Sequence, residues 1–326
     1  MKIAINGFGR IGRLAFRELF DDKDVEIVAI NDLTDNKTLS YLLKYDTSQK
    51  RFERNISYDE NSITVDNKVI KCFAEKDPSN LPWGELGIDV VIESTGLFTN
   101  KEDASKHISA GAKKVVISAP ADTKTIVYNV NHNILTKEDN IISCASCTTN
   151  CLAPIAKVIN DNFVIKKGYM STIHAYTNDQ NTLDAPHKKG NLRRGRAAAE
   201  NIVPNSTGAA KAIGKVIPEL EGKLDGEALR VPVASGSIVE LICEIEKETT
   251  VEEINRIMKE NVSETLGYTS DEIVSSDTIG IKYGSLFDST LTKVIGNNLI
   301  KISSWYDNEM SYTMQMIRTI KYIGRL

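Results

Sequence analysis

The sequence has little of what a membrane, secreted or disulfide-bonded protein needs. No segment approaches the ~18 consecutive apolar residues of a transmembrane helix. The N-terminal stretch MKIAINGFGR lacks the charged, long apolar and small-residue regions of a secretory signal. The five cysteines are an odd number in a long chain, which favours reduced thiols over a disulfide framework. We therefore expect a cytoplasmic protein with no membrane partner.

The chain also lacks the basic excess of a general nucleic-acid binder. Its 40 lysines and arginines against 44 aspartates and glutamates leave a net charge of -4, so no nucleic-acid partner is expected. One basic run, HKKGNLRRGR at residues 187–196, is the exception. It is either a solvated loop or a local positive field that steers a small anion.

The hydrophobic pattern changes near residue 148 and predicts two domains, as the 326-residue length also does. In the first half, apolar runs at residues 2–7, 26–32, 90–96 and 114–120 read as strands, with a helical pattern between the first two. Such strands predict a parallel sheet covered on both faces. Longer, alternating segments in the second half predict a mixed or antiparallel sheet, and residues 308–323 have helical spacing.

A G-x-G-x-x-G motif follows the first strand, in INGFGRIGR. The glycines allow a tight turn, close approach of a pyrophosphate and contact between helix and strand. Asp32 ends the second strand, where a carboxylate accepts from both ribose hydroxyls and selects NAD over NADP; a structural glycine turn with an incidental aspartate is the alternative. The residues expected to bind the cofactor are Gly7, Gly9, Arg10, Ile11, Gly12, Asp32, Ser94, Gly96 and Ser118.

These patterns together predict an α/β protein. Its N-terminal domain is expected to be a Rossmann fold with a doubly wound sheet. Its second domain is expected to be an α+β catalytic domain with a mixed, largely antiparallel sheet.

The stretch SCASCTTNC, residues 143–151, holds three of the five cysteines. Apolar spacing after it predicts a helix that starts at Cys147. A helix N-terminus favours a thiolate, with pKa values of ~3.5 to 7.5 against ~8.5 for a free cysteine, so we expect a depressed pKa here. His174, expected in the middle of a strand, is the candidate base for this nucleophile. Cys151 lies one turn further on and is expected to be a small buried side chain.

Other interpretations of the cysteine cluster remain open. Zinc would need a fourth ligand beside Cys144, Cys147 and Cys151, and no second C-x-x-C or H-x-x-H pair accompanies them. Cys144 and Cys147 have the spacing of a thioredoxin-like pair, but they follow a nucleotide-binding half rather than a first strand. A structural role for His174 also remains open, since a lone strand histidine is more often structural. The predicted dinucleotide site favours a catalytic pair, and no metal is expected.

In combination, the motifs resemble the phosphorylating glyceraldehyde-3-phosphate dehydrogenases. The matching stretches are INGFGRIGR, SCASCTTNCLAP, HAYTNDQ, RAAAENIVPNSTGAAKA, LRVPV and SWYDNEMSY, in order along nearly the whole chain. The resemblance implies oxidative phosphorylation of D-glyceraldehyde 3-phosphate to 1,3-bisphosphoglycerate with NAD and inorganic phosphate. It also implies a homotetramer, an NAD-binding domain of residues 1–147 joined by a C-terminal helix of residues 309–326, and a catalytic domain of residues 148–308.

The resemblance further implies roles for individual residues. Cys147 is similar to the nucleophile, His174 to the base, and Asn308 to the residue that orients the nicotinamide amide. The substrate phosphate would be held by Thr177, Asp179 and Arg230. The attacking phosphate would be held by Ser146, Thr148, Thr207 and Gly208. Arg194 and Arg196 belong to a loop near these phosphates, and the resemblance does not say which of them reaches an anion.

Three departures from the family pattern and three alternatives to its activity bear on these expectations. Cys144 stands where the family usually has asparagine, and Lys76 where many members have arginine. RVPVASGS, residues 230–237, differs from the commoner RVPVPTGS, while Pro186 supports NAD because members that accept NADP often have serine there. The alternatives are a sugar-phosphate aldehyde dehydrogenase that hydrolyses its thioester, an RNA-binding module and a peroxide-sensing thiol protein. The intact NSTGAAKA stretch, residues 205–212, favours attack by phosphate over hydrolysis.

Overall fold

The computed structural model describes all 326 residues and divides the chain into two compact units. The first comprises Met1–Ile126, His132–Ala145 and Thr313–Leu326. The second comprises Val127–Asn131 and Ser146–Tyr312. The compact units change between Ala145 and Ser146, and the domain boundary after residue 147 stays a prediction.

The first unit is built on a nine-stranded sheet with the order β3-β4-β5-β2-β1-β6-β7-β9-β8. Its strands are β1 (Lys2–Asn6), β2 (Glu26–Asn31), β3 (Ile56–Tyr58), β4 (Ser62–Val65), β5 (Lys68–Phe73), β6 (Val90–Glu93), β7 (Lys114–Ile117), β8 (Lys124–Thr125) and β9 (Ile141–Ser143). Its helices are α1 (Arg10–Leu19), α2 (Asn36–Lys44), α3 (Trp83–Leu86) and α4 (Lys101–Ser109).

Most of this sheet is parallel, which confirms the predicted Rossmann-type α/β fold. The strands from β5 through β2, β1, β6 and β7 to β9 pair in parallel, and only β3 and β4 add an antiparallel edge. The predicted strands exist as β1, β2, β6 and β7, each one to three residues shorter at its end. The chain leaves the sheet there because polar and small residues follow. In register, Asn6 lies opposite both Asn31 and Glu93, so these strand ends share one edge.

The second unit has an eight-stranded mixed sheet, as predicted. The path is β11-β12-β10-β13-β17-β15-β14, with β16 paired to β17, and only the β10–β12 and β14–β15 pairs are parallel. The strands are β10 (Ile165–Ala175), β11 (Val203–Ser206), β12 (Leu224–Val231), β13 (Ser237–Ile245), β14 (Leu266–Thr269), β15 (Ser285–Asp288), β16 (Lys293–Ile295) and β17 (Leu299–Tyr306). The helices are α5 (Cys147–Phe163), α6 (Ala209–Val216) and α7 (Val251–Glu260).

Two further features of the fold concern helix α5 and the last helix of the chain. Helix α5 is apolar along most of its length and lies against β13, β15 and β17, with Leu152, Ile155 and Ile159 fully buried. A last helix, α8 (Met310–Ile323), begins in the second unit and ends in the first. In the first unit, Lys321 of α8 forms a 2.7 Å ion pair with Asp22. None of the helices combines the length and apolarity that a membrane crossing requires.

Candidate active site

The glycine turn of the first unit closes tightly on a neighbouring strand end. Gly7 has a φ of +90°, and a Cβ there would lie 2.6 Å from the backbone nitrogen of Thr95. A Cβ at Gly12 would lie 2.2 Å from the Gly7 carbonyl oxygen, whereas a Cβ at Gly9 would meet nothing within 4 Å. Gly9 also precedes α1 without a side-chain cap, so the first helical amides remain for a ligand. The open backbone at Gly9 fits an approaching pyrophosphate.

A cavity of about 510 Å³ lies along the carboxyl ends of β1, β2 and β6. Of the predicted cofactor residues, Gly7, Gly9, Asp32 and Ser94 line it, as does Lys76. The other lining residues were not predicted from the sequence; they are Asn6, Asn31, Leu33, Glu75, Thr95, Leu97 and Phe98. A signal was available, because these residues end or closely follow apolar parallel strands, where ligands bind in open α/β sheets.

The remaining predicted cofactor residues do not line this cavity. Gly12 is buried between helix and strand, and Ile11, Gly96 and Ser118 are not among the lining residues. Arg10 directs its guanidinium to the nearly buried Asp46. Burial opposes ionisation of Asp46, yet the hydrogen bond from Arg10 and two backbone amides keep its pKa below the usual range. The Arg10 side chain is therefore engaged by Asp46, and only the Arg10 backbone amide is placed at the helix start for a ligand.

Asp32 is oriented by two backbone amides. Phe8 donates to one carboxylate oxygen at 2.8 Å and Thr34 donates to the other at 3.0 Å. The carboxylate lines the cavity with acceptor capacity still unused. This arrangement suits the pair of ribose hydroxyls and disfavours a 2′-phosphate.

In the second unit, Cys147 is the first residue of α5, as predicted. Ser146 caps the helix by accepting from the Thr149 amide at 3.1 Å. Cys147 Sγ lies 3.4 Å from Nε2 of His174. His174 is the penultimate residue of β10 rather than a mid-strand residue, so its ring reaches past the sheet toward the helix start. The structure thus brings the predicted nucleophile and base together.

The expectation of a depressed thiol pKa at Cys147 is wrong for the protein without substrate. Burial raises the pKa of this thiol, while the Arg230 cation and hydrogen bonds from Thr148 act in the opposite direction. The sequence shows that Cys147 starts a helix, but it does not show that the thiol is buried beside residues from distant strands, such as His174 and Arg230. A raised pKa favours the protonated thiol form of Cys147.

His174, the predicted base, is held as a neutral ring beside this thiol. Burial, with Arg230 as the next cause, lowers the pKa of His174 to about 3, so the ring is neutral at neutral pH. His174 and Arg230 are direct neighbours in the parallel β10–β12 register. Nδ1 of His174 lies 2.6 Å from the Ala175 carbonyl oxygen, and the Arg230 guanidinium donates to the same oxygen at 3.1 Å. When Nδ1 donates to Ala175, Nε2 presents a lone pair to Cys147.

The predicted substrate-phosphate residues lie around the same strand ends. Arg230 has a buried Nε without a hydrogen-bond partner, which leaves a donor for an anion. Asp179 accepts from Arg194 at 2.5 Å, and His187 lies 3.4 Å from its other oxygen. A carboxylate repels phosphate, so Asp179 acts here by orienting Arg194. Thr177 is held by Gln180, to which its amide donates at 3.0 Å.

The residues predicted to hold the attacking phosphate differ in whether their polar groups are free for a ligand. Thr207 accepts from the Ala209 amide at 3.1 Å, and Gly208, exposed at the start of α6, would place a Cβ in open space. The Thr148 hydroxyl is buried and lies 3.0 Å from the Tyr306 hydroxyl, so it does not face a ligand. Ser146 is occupied in capping α5. Tyr306, 5.8 Å from the His174 ring between centroids, was not predicted; its place at the end of an apolar strand is the only signal.

Comparison with known proteins agrees with this geometry. Residues 1–101 match the family model of the glyceraldehyde 3-phosphate dehydrogenase NAD binding domain, and residues 146–308 match that of its C-terminal domain. Glyceraldehyde-3-phosphate dehydrogenases from Clostridium pasteurianum and Clostridium acetobutylicum are 63% and 62% identical over 330 residues, covering 100% of this chain and 99% of each relative. The one from Streptococcus pyogenes is 57% identical over 332 residues with the same coverage. The chain belongs to the glyceraldehyde-3-phosphate dehydrogenase family.

Membership of the glyceraldehyde-3-phosphate dehydrogenase family confirms the resemblance drawn from the motifs. It also confirms NAD as the cofactor, since the first unit holds the match to the NAD binding domain. The cavity at Gly9 and Asp32 fits this assignment on its own geometry.

Asn308 is buried, and two serine hydroxyls lie against its side-chain oxygen. Its Oδ1 lies 3.4 Å from the Ser235 hydroxyl and 3.3 Å from that of Ser237. Ser235, one of the departures from the family pattern, also donates to the buried Asp307 at 2.9 Å. Ser235 therefore keeps a hydroxyl at the position where the commoner motif has threonine. Because the serine hydroxyls lie against Oδ1 of Asn308, its Nδ2 group is left to donate to a ligand.

The other cysteines are not prepared for chemistry. Burial raises the pKa of the Cys144, Cys151 and Cys243 thiols to about 12, and that of Cys72 to about 11. Cys151 is fully buried, as expected. No group of three or more His, Cys, Asp or Glu side chains in the chain could hold a metal ion.

The two glycines nearest the helix start should respond differently to alanine. Gly12→Ala places a methyl group 2.2 Å from a backbone oxygen, so we expect a large loss of thermal stability. Gly9→Ala leaves the fold stable but weakens NAD binding about tenfold or more, because the methyl group stands where the pyrophosphate approaches. Thermal unfolding and NAD titration of both variants separate the two effects. Equal loss of stability in both would contradict this assignment.

Proposed function

We propose that this protein is an NAD-dependent phosphorylating glyceraldehyde-3-phosphate dehydrogenase. It converts D-glyceraldehyde 3-phosphate and inorganic phosphate to 1,3-bisphosphoglycerate. The observation that carries the proposal is the Cys147–His174 contact of 3.4 Å at a helix start, with Arg230 directly beside the histidine. Family membership over the full chain supports the same substrate.

In this proposal, Cys147 attacks the aldehyde carbon and His174 takes the thiol proton. His174 then returns that proton to the carbonyl oxygen, which becomes the hydroxyl of a hemithioacetal on Cys147, and the ring is neutral again. His174, neutral at neutral pH, next accepts the hydroxyl proton as the carbon loses its hydrogen. NAD, when bound, accepts that hydrogen as a hydride. The protein is left with a thioester on Cys147.

Inorganic phosphate then attacks the thioester carbon, and the sulfur of Cys147 leaves as a thiolate that regains a proton from His174. The product is an acyl phosphate, which retains the energy of the oxidation. Thr207 and Gly208 at the start of α6 hold the attacking phosphate, with the helix amides as donors. Ser146 and Thr148 take part through the amides at the start of α5, because both hydroxyls already have protein partners.

Thr177 and Arg230 hold the substrate phosphate, and Asp179 orients the cation beside it. Of the two arginines left open by the sequence, Arg194 serves the phosphates. Arg194 reaches Asp179 and, at 3.2 Å, Asn205, whereas Arg196 pairs at 2.9 Å with Asp184 and is more than half exposed.

Replacing the two arginines tests this assignment. Arg194→Ala should raise the KM for inorganic phosphate or for glyceraldehyde 3-phosphate about tenfold or more, because a charge-assisted donor is lost. Arg196→Ala, a matched removal of an exposed arginine from the same loop, should change neither KM by more than about twofold. Steady-state kinetics with each substrate varied in turn measures both. The reverse ranking would overturn the choice of Arg194.

We also propose the domain boundaries, the cellular compartment and the oligomeric state of the enzyme. Residues 1–147 with the C-terminal helix 309–326 form the NAD-binding domain, residues 148–308 form the catalytic domain, and Asn308 orients the nicotinamide amide. We place the enzyme in the cytoplasm as a homotetramer. On the open face of the second sheet, Tyr169 and Ile242 are cross-strand neighbours and are 47% and 45% exposed. Apolar side chains on such a face favour burial against another copy.

The decisive test of the reaction is NADH formation from glyceraldehyde 3-phosphate and NAD, with and without inorganic phosphate. Sustained turnover should require phosphate and yield an acyl phosphate. Turnover that is equal without phosphate would instead make the protein a hydrolytic sugar-phosphate aldehyde dehydrogenase.

A further inference from the structure

A buried carboxylate, that of Glu93, lies beneath the dinucleotide cavity. Glu93 ends β6 and is 1% exposed. The ionisable side chain within ion-pair distance of it is His107, which is 0% exposed on α4. A carboxylate without a cation is costly to bury, so its hydrogen bonds must be strong and specific.

His107 does not supply the missing positive charge. The indole nitrogen of Trp83 donates to Nδ1 of His107 at 3.0 Å, so Nδ1 must be an acceptor. The remaining ring proton of a neutral His107 is therefore on Nε2, which donates to Glu93 at 3.1 Å. A protonated ring would set one N–H against the Trp83 N–H.

Four donors converge on the Glu93 carboxylate. Besides His107, they are the side-chain amide of Asn6 at 2.5 Å, the backbone amide of Thr95 at 2.8 Å, and the Thr95 hydroxyl. A carboxylate has no donor of its own when ionised, so it can accept from all four. Any neutral replacement would leave at least one of these buried donors without an acceptor.

These contacts continue across the floor of the cavity. Asn6 accepts from the Asn31 side chain at 2.7 Å, and Asn31 accepts from the Glu75 amide at 2.8 Å. The network thus crosses the adjacent strands β6, β1 and β2 and reaches the segment after β5. Asn6, Asn31, Glu75 and Thr95 all line the cavity, whereas Glu93 lies beneath them.

Thr95 shows that the network positions the turn rather than contacting the ligand with its hydroxyl. That hydroxyl donates to Glu93 and accepts from the Leu97 amide at 3.0 Å. Ser94, one residue earlier, donates to the Gly7 carbonyl at 2.7 Å. The turn that follows β6 is thereby tied to the glycine turn that faces the pyrophosphate.

We propose that Glu93 is a positioning residue of the NAD site, which fixes Asn6 and the Ser94–Leu97 turn in the geometry that the dinucleotide requires. This inference rests on the proposed function only in so far as both assign NAD to the same cavity. The quantity that it predicts is the affinity for NAD, which is measured without glyceraldehyde 3-phosphate.

Glu93→Gln is the first test, because it keeps the size and removes the charge. We expect the Kd for NAD, measured by calorimetric titration of the purified full-length protein, to rise about tenfold to a hundredfold. The kcat at saturating NAD should stay within about twofold, as expected when only cofactor binding is weakened. Glu85→Gln, at an exposed position of α3, is the matched control and should leave Kd unchanged.

A second pair of variants keeps the proposal testable if Glu93→Gln fails to fold. Thr95→Val removes the hydroxyl donor and should weaken NAD binding, whereas Thr95→Ser keeps the hydroxyl and should restore it. In the protein without NAD, amide hydrogen exchange at Thr95 and Leu97 should be faster in Glu93→Gln and in Thr95→Val than in the wild type.

A purely structural Glu93 would predict a different outcome. Glu93→Gln would then lower the melting temperature and the active fraction, while the Kd of the folded fraction would stay within about twofold of the wild type. That result, or equal NAD affinity of Thr95→Val and Thr95→Ser, would overturn the proposal. A wild type that binds NAD but shows no turnover with glyceraldehyde 3-phosphate would instead refute the proposed function and leave this comparison intact.

Discussion

Cys147→Ser should abolish turnover, with kcat reduced by at least about 10⁴-fold. The serine hydroxyl is a far weaker nucleophile than sulfur, and its ester would not have the reactivity of a thioester toward phosphate. The neutral His174 at 3.4 Å can activate a thiol but lacks the basicity to ionise an alcohol to the same extent. Steady-state NADH formation measures the loss.

Cys151→Ser is the matched control for this substitution. Cys151 lies one turn further along α5, fully buried, with its sulfur 3.6 Å from the Ser285 hydroxyl. It contacts neither the proposed base nor a phosphate site, so kcat should stay within a few-fold of the wild type. If Cys147→Ser kept substantial activity, or if Cys151→Ser lost it equally, Cys147 would not be the nucleophile.

His174→Asn should reduce kcat by about 10² to 10⁴-fold, because no other base lies beside Cys147 to accept the two protons. NAD affinity should be unchanged, since the residue belongs to the second unit and the cavity to the first. Single-turnover measurement of NADH formation separates the chemical step from binding. A kcat close to that of the wild type would contradict the role of His174 as base.

The same variant should also change how stability depends on pH. In the folded protein, burial and Arg230 lower the pKa of His174 to about 3 from an ordinary value of 6.5. The unfolded chain therefore binds a proton first as pH falls, so this residue's contribution to stability is present above pH 6.5 and is lost toward pH 3. The melting temperature of the wild type should fall more steeply over that window than that of His174→Asn. Parallel slopes would contradict the neutral buried histidine.

The sequence predicted those parts of the fold that depend on local pattern. Continuous apolar runs followed by polar or small residues identified β1, β2, β6 and β7, and apolar spacing located the start of α5 at Cys147. The glycine turn could be assigned because each glycine has a steric reason: Gly7 and Gly12 have no room for a Cβ, and Gly9 leaves its space open.

What the sequence could not predict depends on residues distant along the chain. Burial raises the thiol pKa of Cys147, and the charge of Arg230 and the contact with His174 come from strands far along the chain, so no local motif contains that information. Tyr306 reaches the Thr148 hydroxyl from 158 residues away. In the sequence, Glu93 is only the end of a strand and His107 only a histidine in a helix. Their hydrogen bonds from Asn6 and Trp83, respectively, are seen only in the folded structure.

The central claim is a thioester on Cys147 that only phosphate releases efficiently. Rapid quenching after mixing the enzyme with NAD and glyceraldehyde 3-phosphate, without phosphate, tests it most directly. The account predicts a burst of one NADH per subunit and an acyl group that mass spectrometry locates on the peptide containing Cys147; adding phosphate should remove the acyl group and restore turnover. Continued turnover without phosphate, or no acyl group on Cys147, would contradict the account.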